Sequence, residues 1–126
     1  MVQTDLTQFS RECNSWKENL RNYRSELSHY REKLQDVVSQ QISKNELPNI
    51  EHYNNQFEIQ LRNINQLKHA IKEHERTATL STVSGGSNVS GTLWATHENL
   101  HDRYESLEHI LLDLKQEFNS FVSKVG

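Results

Sequence analysis

The feature that most constrains the fold is a heptad repeat of apolar residues near the N-terminus. Apolar or aromatic side chains recur there at alternating intervals of three and four residues. The series is Leu6, Phe9, Cys13, Trp16, Leu20, Tyr23, Leu27, Tyr30, Leu34 and Val37. This spacing places every member on one face of an α-helix, as at the a and d positions of a coiled coil. Because Asp5 and Gln8 also resemble a capping box, we predict a helix over residues 5–42.

Two further heptad repeats follow, and helix-breaking segments separate them. Pro48 has no amide N–H and fits the first turn of a helix, so the second helix is predicted over residues 48–78. Its inward positions are Ile50, Tyr53, Phe57, Gln60, Ile64, Leu67, Ile71, His74 and Ala78. A segment rich in Ser, Thr and Gly predicts an exposed loop over 79–91. A third helix is predicted over 92–125, with inward positions Leu93, His97, Leu100, Tyr104, Leu107, Leu111, Leu114, Phe118, Phe121 and Val125.

Three helices of similar length can bury these stripes against one another. The short first connection forces the first two helices to be antiparallel, and an antiparallel third helix needs the least loop. We therefore predict an all-α fold, an up-down-up antiparallel three-helix bundle with coiled-coil-like heptad packing. Residues 1–126 are expected to form a single domain.

Composition narrows the classes of function. No apolar run approaches the roughly 20 residues of a membrane span, and the N-terminus has no signal-peptide pattern. The net charge is −3 with both signs interspersed, so no basic stripe for nucleic acid is visible along the sequence. Cys13 is the only cysteine, which excludes an internal disulfide and favours a reducing, cytoplasmic location. No phosphate-binding loop or nucleophile–base motif is present, so we expect neither an enzyme nor a small-molecule substrate.

Two of the seven histidines, His74 and His97, occupy inward heptad positions. The nearby His69 is about 140° from His74 around the helix and is expected to face solvent, as are His29 and His52. An up-down-up fold brings His74, His97 and Cys13 to one end of the bundle. His101 follows on the flank, four residues after His97, and four glutamates are close in sequence: Glu12, Glu73, Glu75 and Glu98.

Cys and His are ligands that zinc and other borderline transition metals accept. The candidate metal ligands are therefore Cys13, His74, His97 and His101, with the glutamates as additional or supporting ligands. A structural alternative stays open, because imidazoles at the wet end of a bundle can be satisfied by water or by backbone groups.

Two hypotheses of function follow. The leading one is a non-enzymatic interaction or scaffold module that self-associates or binds a protein partner. It rests on Trp94, Leu61 and Val38, apolar residues outside the a and d positions that are expected to add exposed apolar surface. The alternative is a metal-binding or metal-sensing bundle.

Two stretches, "EHYNNQFEIQLRNINQLKHAIKEHE" and "LHDRYESLEHILLDLKQEFNSFVSK", carry a resemblance to a family. They resemble a family of small helical-bundle proteins from Bacteroidota that has no assigned activity. The resemblance implies the same three helical blocks, a variable second loop and a bacterial source. Members of that family tend to have a histidine near the start of the first helix, where this chain has Cys13 before Trp16, so the resemblance does not supply a shared ligand there.

Overall fold

The computed structural model describes residues 2–40, 44–83 and 91–125, with side chains described for 7–40, 44–80 and 91–125. Helix α1 spans Val2–Ser39, a short 3-10 helix spans Lys44–Glu46, α2 spans Leu47–Val83 and α3 spans Gly91–Val125. These described ranges contain no β-strand. The fold is thus an all-α three-helix bundle, as the heptad repeats predict.

Contacts between the helices establish their directions. The pairs that do so are Lys17–Glu75 and Arg31–Glu58 between α1 and α2, and Glu12–His97, Asn19–Tyr104 and Glu26–Lys115 between α1 and α3. Residue numbers fall along α2 as they rise along α1, so these two helices are antiparallel. They rise together along α1 and α3, which are therefore parallel. The path is up-down-up, as predicted.

The core consists of the inward heptad positions of all three helices. Every predicted a and d residue whose side chain is described is buried or half-buried. Phe57 and Ile64 on α2 and Phe118 on α3 are fully buried, at 0% exposure. Burial of each such side chain contributes about 1.5–3 kcal/mol. Heptad patterning therefore accounts for which faces of the helices meet.

The start and end of α1 differ from the prediction. The helix begins at Val2, so Asp5 lies inside it and is not a capping residue. It ends at Ser39, where the amide of Gln40 donates to the carbonyl of Val37 over 3.2 Å. Such an i to i−3 bond tightens and closes the last turn of a helix. The predicted end at Ile42 lies outside the described residues.

Helix α2 continues past its predicted end. Pro48 lies in its first turn, as expected, but the helix runs to Val83 instead of ending at residue 78. The hydroxyls of Thr77 and Thr79 donate to the carbonyls of Glu73 and Glu75, each over 3.0 Å. These bonds satisfy the threonine side chains within the helix, so a Thr-rich stretch does not have to leave it. Residues 79–83 of the predicted loop therefore belong to α2, and residues 84–90 lie outside the described part of the chain.

The exposed apolar surface also differs from the prediction. Trp94 is half-buried, with its ring edge-on to Phe9 at a centroid distance of 4.8 Å. Leu61 is half-buried and packs against the core. Only Val38, at 42% exposure, is as open as expected. Because Leu61 and Trp94 border the core stripe, the neighbouring helix covers much of each.

Candidate metal centre

Cys13, His74 and His97 come together at one end of the bundle, each from a different helix. One potential ligand atom of each lies within 4.8 Å of the other two. The three side chains are buried, with exposures of 1% for Cys13, 4% for His74 and 3% for His97. The heptad register brings them there, because each occupies an inward position and the up-down-up path places these three positions at the same level.

Aromatic rings hold the imidazole of His97 in place. The ring of Phe9 stacks on it at a centroid distance of 4.0 Å and an angle of 5°. Trp16 packs against it at 4.9 Å. Phe9 also contacts the ring of His74 at 5.7 Å. These contacts leave the imidazoles little freedom to rotate, so their nitrogen atoms have defined directions.

A chain of hydrogen bonds connects the two histidines to Glu12. His97 Nε2 lies 3.3 Å from Glu12 Oε1, and His74 Nε2 lies 2.9 Å from His97 Nδ1. An ionised carboxylate only accepts, so His97 Nε2 carries the proton and donates to Glu12. In a neutral His97 the Nδ1 atom is then an acceptor, which requires His74 Nε2 to donate to it. A neutral His74 is therefore left with a free lone pair on Nδ1.

The Nδ1 atom of His74 is buried, and among the described residues it has no hydrogen-bond partner. A buried polar atom without a partner costs about 1–3 kcal/mol. The tautomers assigned above make this atom an unprotonated imidazole nitrogen, the form that binds metal ions. It is the one nitrogen of the pair that could take a cation without loss of either hydrogen bond.

The surroundings favour uncharged forms of both residue types. Burial lowers the pKa of His74, and the neighbouring His97 lowers it further. Burial raises the pKa of the Cys13 thiol to about 12, with Glu75 and Glu12 adding to the shift. Without a cation, the centre therefore holds a neutral imidazole and a protonated thiol.

A cavity of about 180 Å³ lies next to Cys13 and His74. It is lined by Phe9, Ser10, Cys13, His74, Glu75, Ala78 and Thr79. Glu75 forms an ion pair with Lys17, with a distance of 2.8 Å between Lys17 Nζ and Glu75 Oε1. The centre thus packs against Phe9 and Trp16 and adjoins a space large enough for several water molecules.

The remaining candidates lie elsewhere. His101 is not in the cluster: its side chain is 44% exposed, and its Nε2 lies 3.0 Å from Glu105 Oε1. Its position four residues after His97 puts it on the side of α3 where it contacts the ring of Trp16 at 6.0 Å. Glu73 and Glu98 are exposed. Other histidines, at positions 29, 52, 69 and 109, are exposed, and for the first three this confirms the heptad prediction.

The next layer of the bundle contains a polar network that sequence reasoning did not identify. Tyr23 and Tyr104 both donate to Glu108 Oε2, over 2.7 and 3.0 Å, and Asn19 donates to the Tyr104 hydroxyl over 2.9 Å. Burial raises the pKa of Tyr104 to about 12, so the phenol remains a donor at neutral pH. The signal was present in the sequence, because tyrosines at inward positions need partners for their hydroxyls.

None of the three described helices contains an apolar stretch that could cross a membrane. Comparisons with protein-family models, curated protein sequences and solved structures give no match to this chain. The resemblance to the Bacteroidota proteins therefore stays a prediction from the sequence.

Proposed function

We propose that this chain is a metal-binding helical bundle whose centre, formed by Cys13, His74 and His97, holds a transition-metal cation. The observation that carries the proposal is the convergence of three ligand atoms from three helices within 4.8 Å. A metal centre built from facing helices is an established use of the bundle architecture.

The free-energy cost of burying the two imidazoles supports a role for them as ligands over a purely structural role. Two imidazoles, from His74 and His97, lie in a buried layer where leucines would pack without any hydrogen-bond requirement. The unpartnered Nδ1 atom of His74 makes that layer less stable by about 1–3 kcal/mol. A bound cation would accept this lone pair and offset the cost.

The donor set suits zinc. Thiolate sulfur and imidazole nitrogen are preferred zinc ligands. His74 Nδ1 can bind a cation with both hydrogen bonds intact, whereas His97 Nδ1 would have to exchange the hydrogen bond from His74 for the cation. Cys13, His74 and His97 would then leave a fourth tetrahedral position for water or a carboxylate. The hydrogen bond from His97 to Glu12 matches the carboxylate–histidine contacts that orient metal-bound imidazoles. A reducing compartment such as the cytoplasm fits the proposal, because Cys13 can ligate only when its sulfur is not oxidised and has lost its proton.

Calorimetric zinc titration of protein purified without a histidine tag tests the proposal. We expect one zinc ion per chain, with binding lost in Cys13→Ser and in His74→Leu. His69→Leu is the matched control, since His69 lies on the same helix but is exposed, and it should bind zinc as the parent does. Glu12→Gln should weaken binding by about 10–100-fold through loss of the contact that orients His97. Equal zinc binding by the parent and Cys13→Ser would refute the proposal.

A self-associating interaction module is the second candidate. Large apolar side chains on the outside of the bundle support it, and those more than 40% exposed are Val38, Leu47, Ile59, Leu80, Ile110 and Leu112. Light scattering across micromolar to millimolar concentrations tests this candidate. A mass that stays at that of the monomer throughout would exclude it.

A further inference from the structure

Basic residues of α1 and α2 form one surface patch, although they are far apart in the sequence. Arg24 on α1 and Lys68 on α2 are each seven residues from a member of the Lys17–Glu75 ion pair, so the antiparallel register brings these two cations opposite each other. Arg21 and Lys72 lie one turn away from them on the same sides of the two helices, and we call these four residues the basic groove. Burial lowers the pKa of Lys68, and the charges of Lys72, Arg21, Arg24 and Lys17 lower it further. The register of the two helices thus gathers four cations, and the direction of the Lys68 shift agrees with it.

The basic groove has no acidic partner within the described part of the chain. None of its four residues forms an ion pair there. Lys17 and Arg31, which flank it on α1, are paired with Glu75 and Glu58. The charge of the groove is thus uncompensated while its ends are neutralised, an arrangement that favours an anionic ligand between them.

The outer surface of α3 carries the opposite charge. Glu98, Asp102 and Glu105 follow one another at intervals of four and three residues, which places them on one face over about 10 Å of helix. The side chains of Asp102 and Glu105 are 81% and 63% exposed. Their ion-pair partner among the described residues is His101, which, unlike Lys or Arg, carries no permanent charge. We call these three residues the acidic face.

The two surfaces lie on different sides of the bundle. The acidic face lies on α3, where Asp102 borders a surface cavity shared with Asn63 and Gln66 of α2, whereas the basic groove lies between α1 and α2. Both surfaces lie in the same half of the bundle. Asn19, which is close to Arg21 in the sequence, contacts Tyr104, which lies between Asp102 and Glu105 on α3. A single chain therefore cannot bring its own two surfaces together, but two chains side by side can.

We infer that the basic groove receives the acidic face of a second copy of this chain. The inference rests on the self-association candidate, names the surfaces involved and does not depend on metal binding. The contact joins two different surfaces, so each added copy leaves one groove and one face free, and assembly continues head to tail. A nucleic acid fits less well, because the whole chain has a net charge of −3 and a phosphate backbone would meet repulsion outside the groove.

Light scattering at two salt concentrations, with charge-neutralised variants, tests the inference. At about 10 mM salt, where the Debye length is about 30 Å, we expect the parent mass to rise with concentration beyond that of a dimer. At about 1 M salt, where the Debye length is about 3 Å, we expect monomers. Arg24→Gln/Lys68→Gln and Asp102→Asn/Glu105→Gln should each be monomeric alone. Their equimolar mixture should form dimers and nothing larger, because only one complementary contact remains.

Arg62→Gln/Arg76→Gln is the matched control, since it removes two exposed cations of α2 outside the groove and should assemble as the parent does. Assembly that survives high salt and both face variants would overturn this inference while the self-association candidate stands. A parent that is monomeric in every condition would overturn both. A monomeric parent that binds a single-stranded oligonucleotide, with binding lost in Arg24→Gln/Lys68→Gln, would assign the groove to nucleic acid and also overturn the inference.

Discussion

The two ends of the bundle use the same heptad positions for opposite purposes. At the end where α1 finishes and α2 begins, these positions hold aromatic rings, and Phe57 and Phe118 meet edge to face at 5.0 Å. Tyr53 contacts Phe121 at 5.1 Å there and donates its hydroxyl to the carbonyl of Glu117 over 3.2 Å. At the other end the equivalent positions hold Cys13, His74 and His97.

The difference between the two ends indicates that the histidine end contributes less to the stability of the fold than the aromatic end does. The aromatic end fills its space with apolar rings and satisfies the Tyr53 hydroxyl. The histidine end buries a nitrogen atom without a partner and adjoins a cavity of about 180 Å³. Strain and unsatisfied groups that a heptad could have avoided are typical of functional sites.

The largest loss of stability is expected at the aromatic end. Phe57→Ala should lower the free energy of unfolding by about 3–5 kcal/mol, because the fully buried ring leaves a cavity that its neighbours cannot fill. Chemical denaturation measures the effect. Ile59→Ala is the control: its side chain is 41% exposed and should change stability by less than about 0.5 kcal/mol. Equal costs at the two positions would contradict the assignment of the core.

Zinc should stabilise the histidine end. At a free zinc concentration 100 times Kd, the free energy of unfolding should rise by about 2.7 kcal/mol, because the cation binds the folded chain alone. The melting temperature with and without zinc gives the measurement. Cys13→Ser should show no such rise. Phe57→Ala should melt at a lower temperature than the parent without zinc, but zinc should still raise its melting temperature. A zinc effect that survives in Cys13→Ser would place the ion elsewhere.

Without metal, apolar residues in place of His74 and His97 should stabilise the fold. The double variant His74→Leu/His97→Leu removes the unpartnered nitrogen together with its hydrogen-bonded neighbour, so it should be more stable than the parent by about 1–2 kcal/mol. Denaturation in the presence of a chelator gives the comparison. Lower stability in the variant than in the parent would mean that the imidazole pair stabilises the fold.

A smaller effect is expected from acid. The pKa of His74 in the folded chain lies below its usual value of 6.5, because of burial and then the proximity of His97. The unfolded chain therefore binds a proton more readily, and the stability that the neutral imidazole contributes above pH 6.5 should fall as the pH decreases below that value. The double variant should lack this part of the decline. Identical pH profiles for parent and variant would show that His74 titrates as it does in the unfolded chain.

The heptad pattern predicted the fold because every inward residue obeys one period along each helix. Helix ends were less predictable: the loop was predicted to begin at Thr79, yet the hydroxyl of Thr79 donates to the carbonyl of Glu75 within α2. Trp94 and Leu61 looked exposed because heptad position alone does not show how far a neighbouring helix covers the flank. Local sequence signals describe one helix at a time, and these outcomes depend on contacts between helices.

The candidate site, like the fold, could be predicted from the sequence only in part. Cys13, His74 and His97 could be brought together from register and topology alone, since both are properties of the backbone path. The stacking of Phe9 on His97 and the direction of the hydrogen bonds required atomic positions. His101 was assigned to the cluster by its spacing from His97, but its side chain pairs with Glu105 at the surface. The basic groove escaped notice because its cations are distributed over two helices.

Titration with cobalt(II), which takes the place of zinc and has a visible spectrum that depends on its ligands, shows whether Cys13, His74 and His97 hold a metal ion. The account predicts that one equivalent of cobalt develops the intense visible absorption of a four-coordinate ion together with a thiolate-to-cobalt charge-transfer band. Cys13→Ser should lose the charge-transfer band, His74→Leu should lose the four-coordinate spectrum, and His69→Leu should behave as the parent does. A parent spectrum that stays that of the hydrated six-coordinate ion would contradict the account and leave Cys13, His74 and His97 as packing residues.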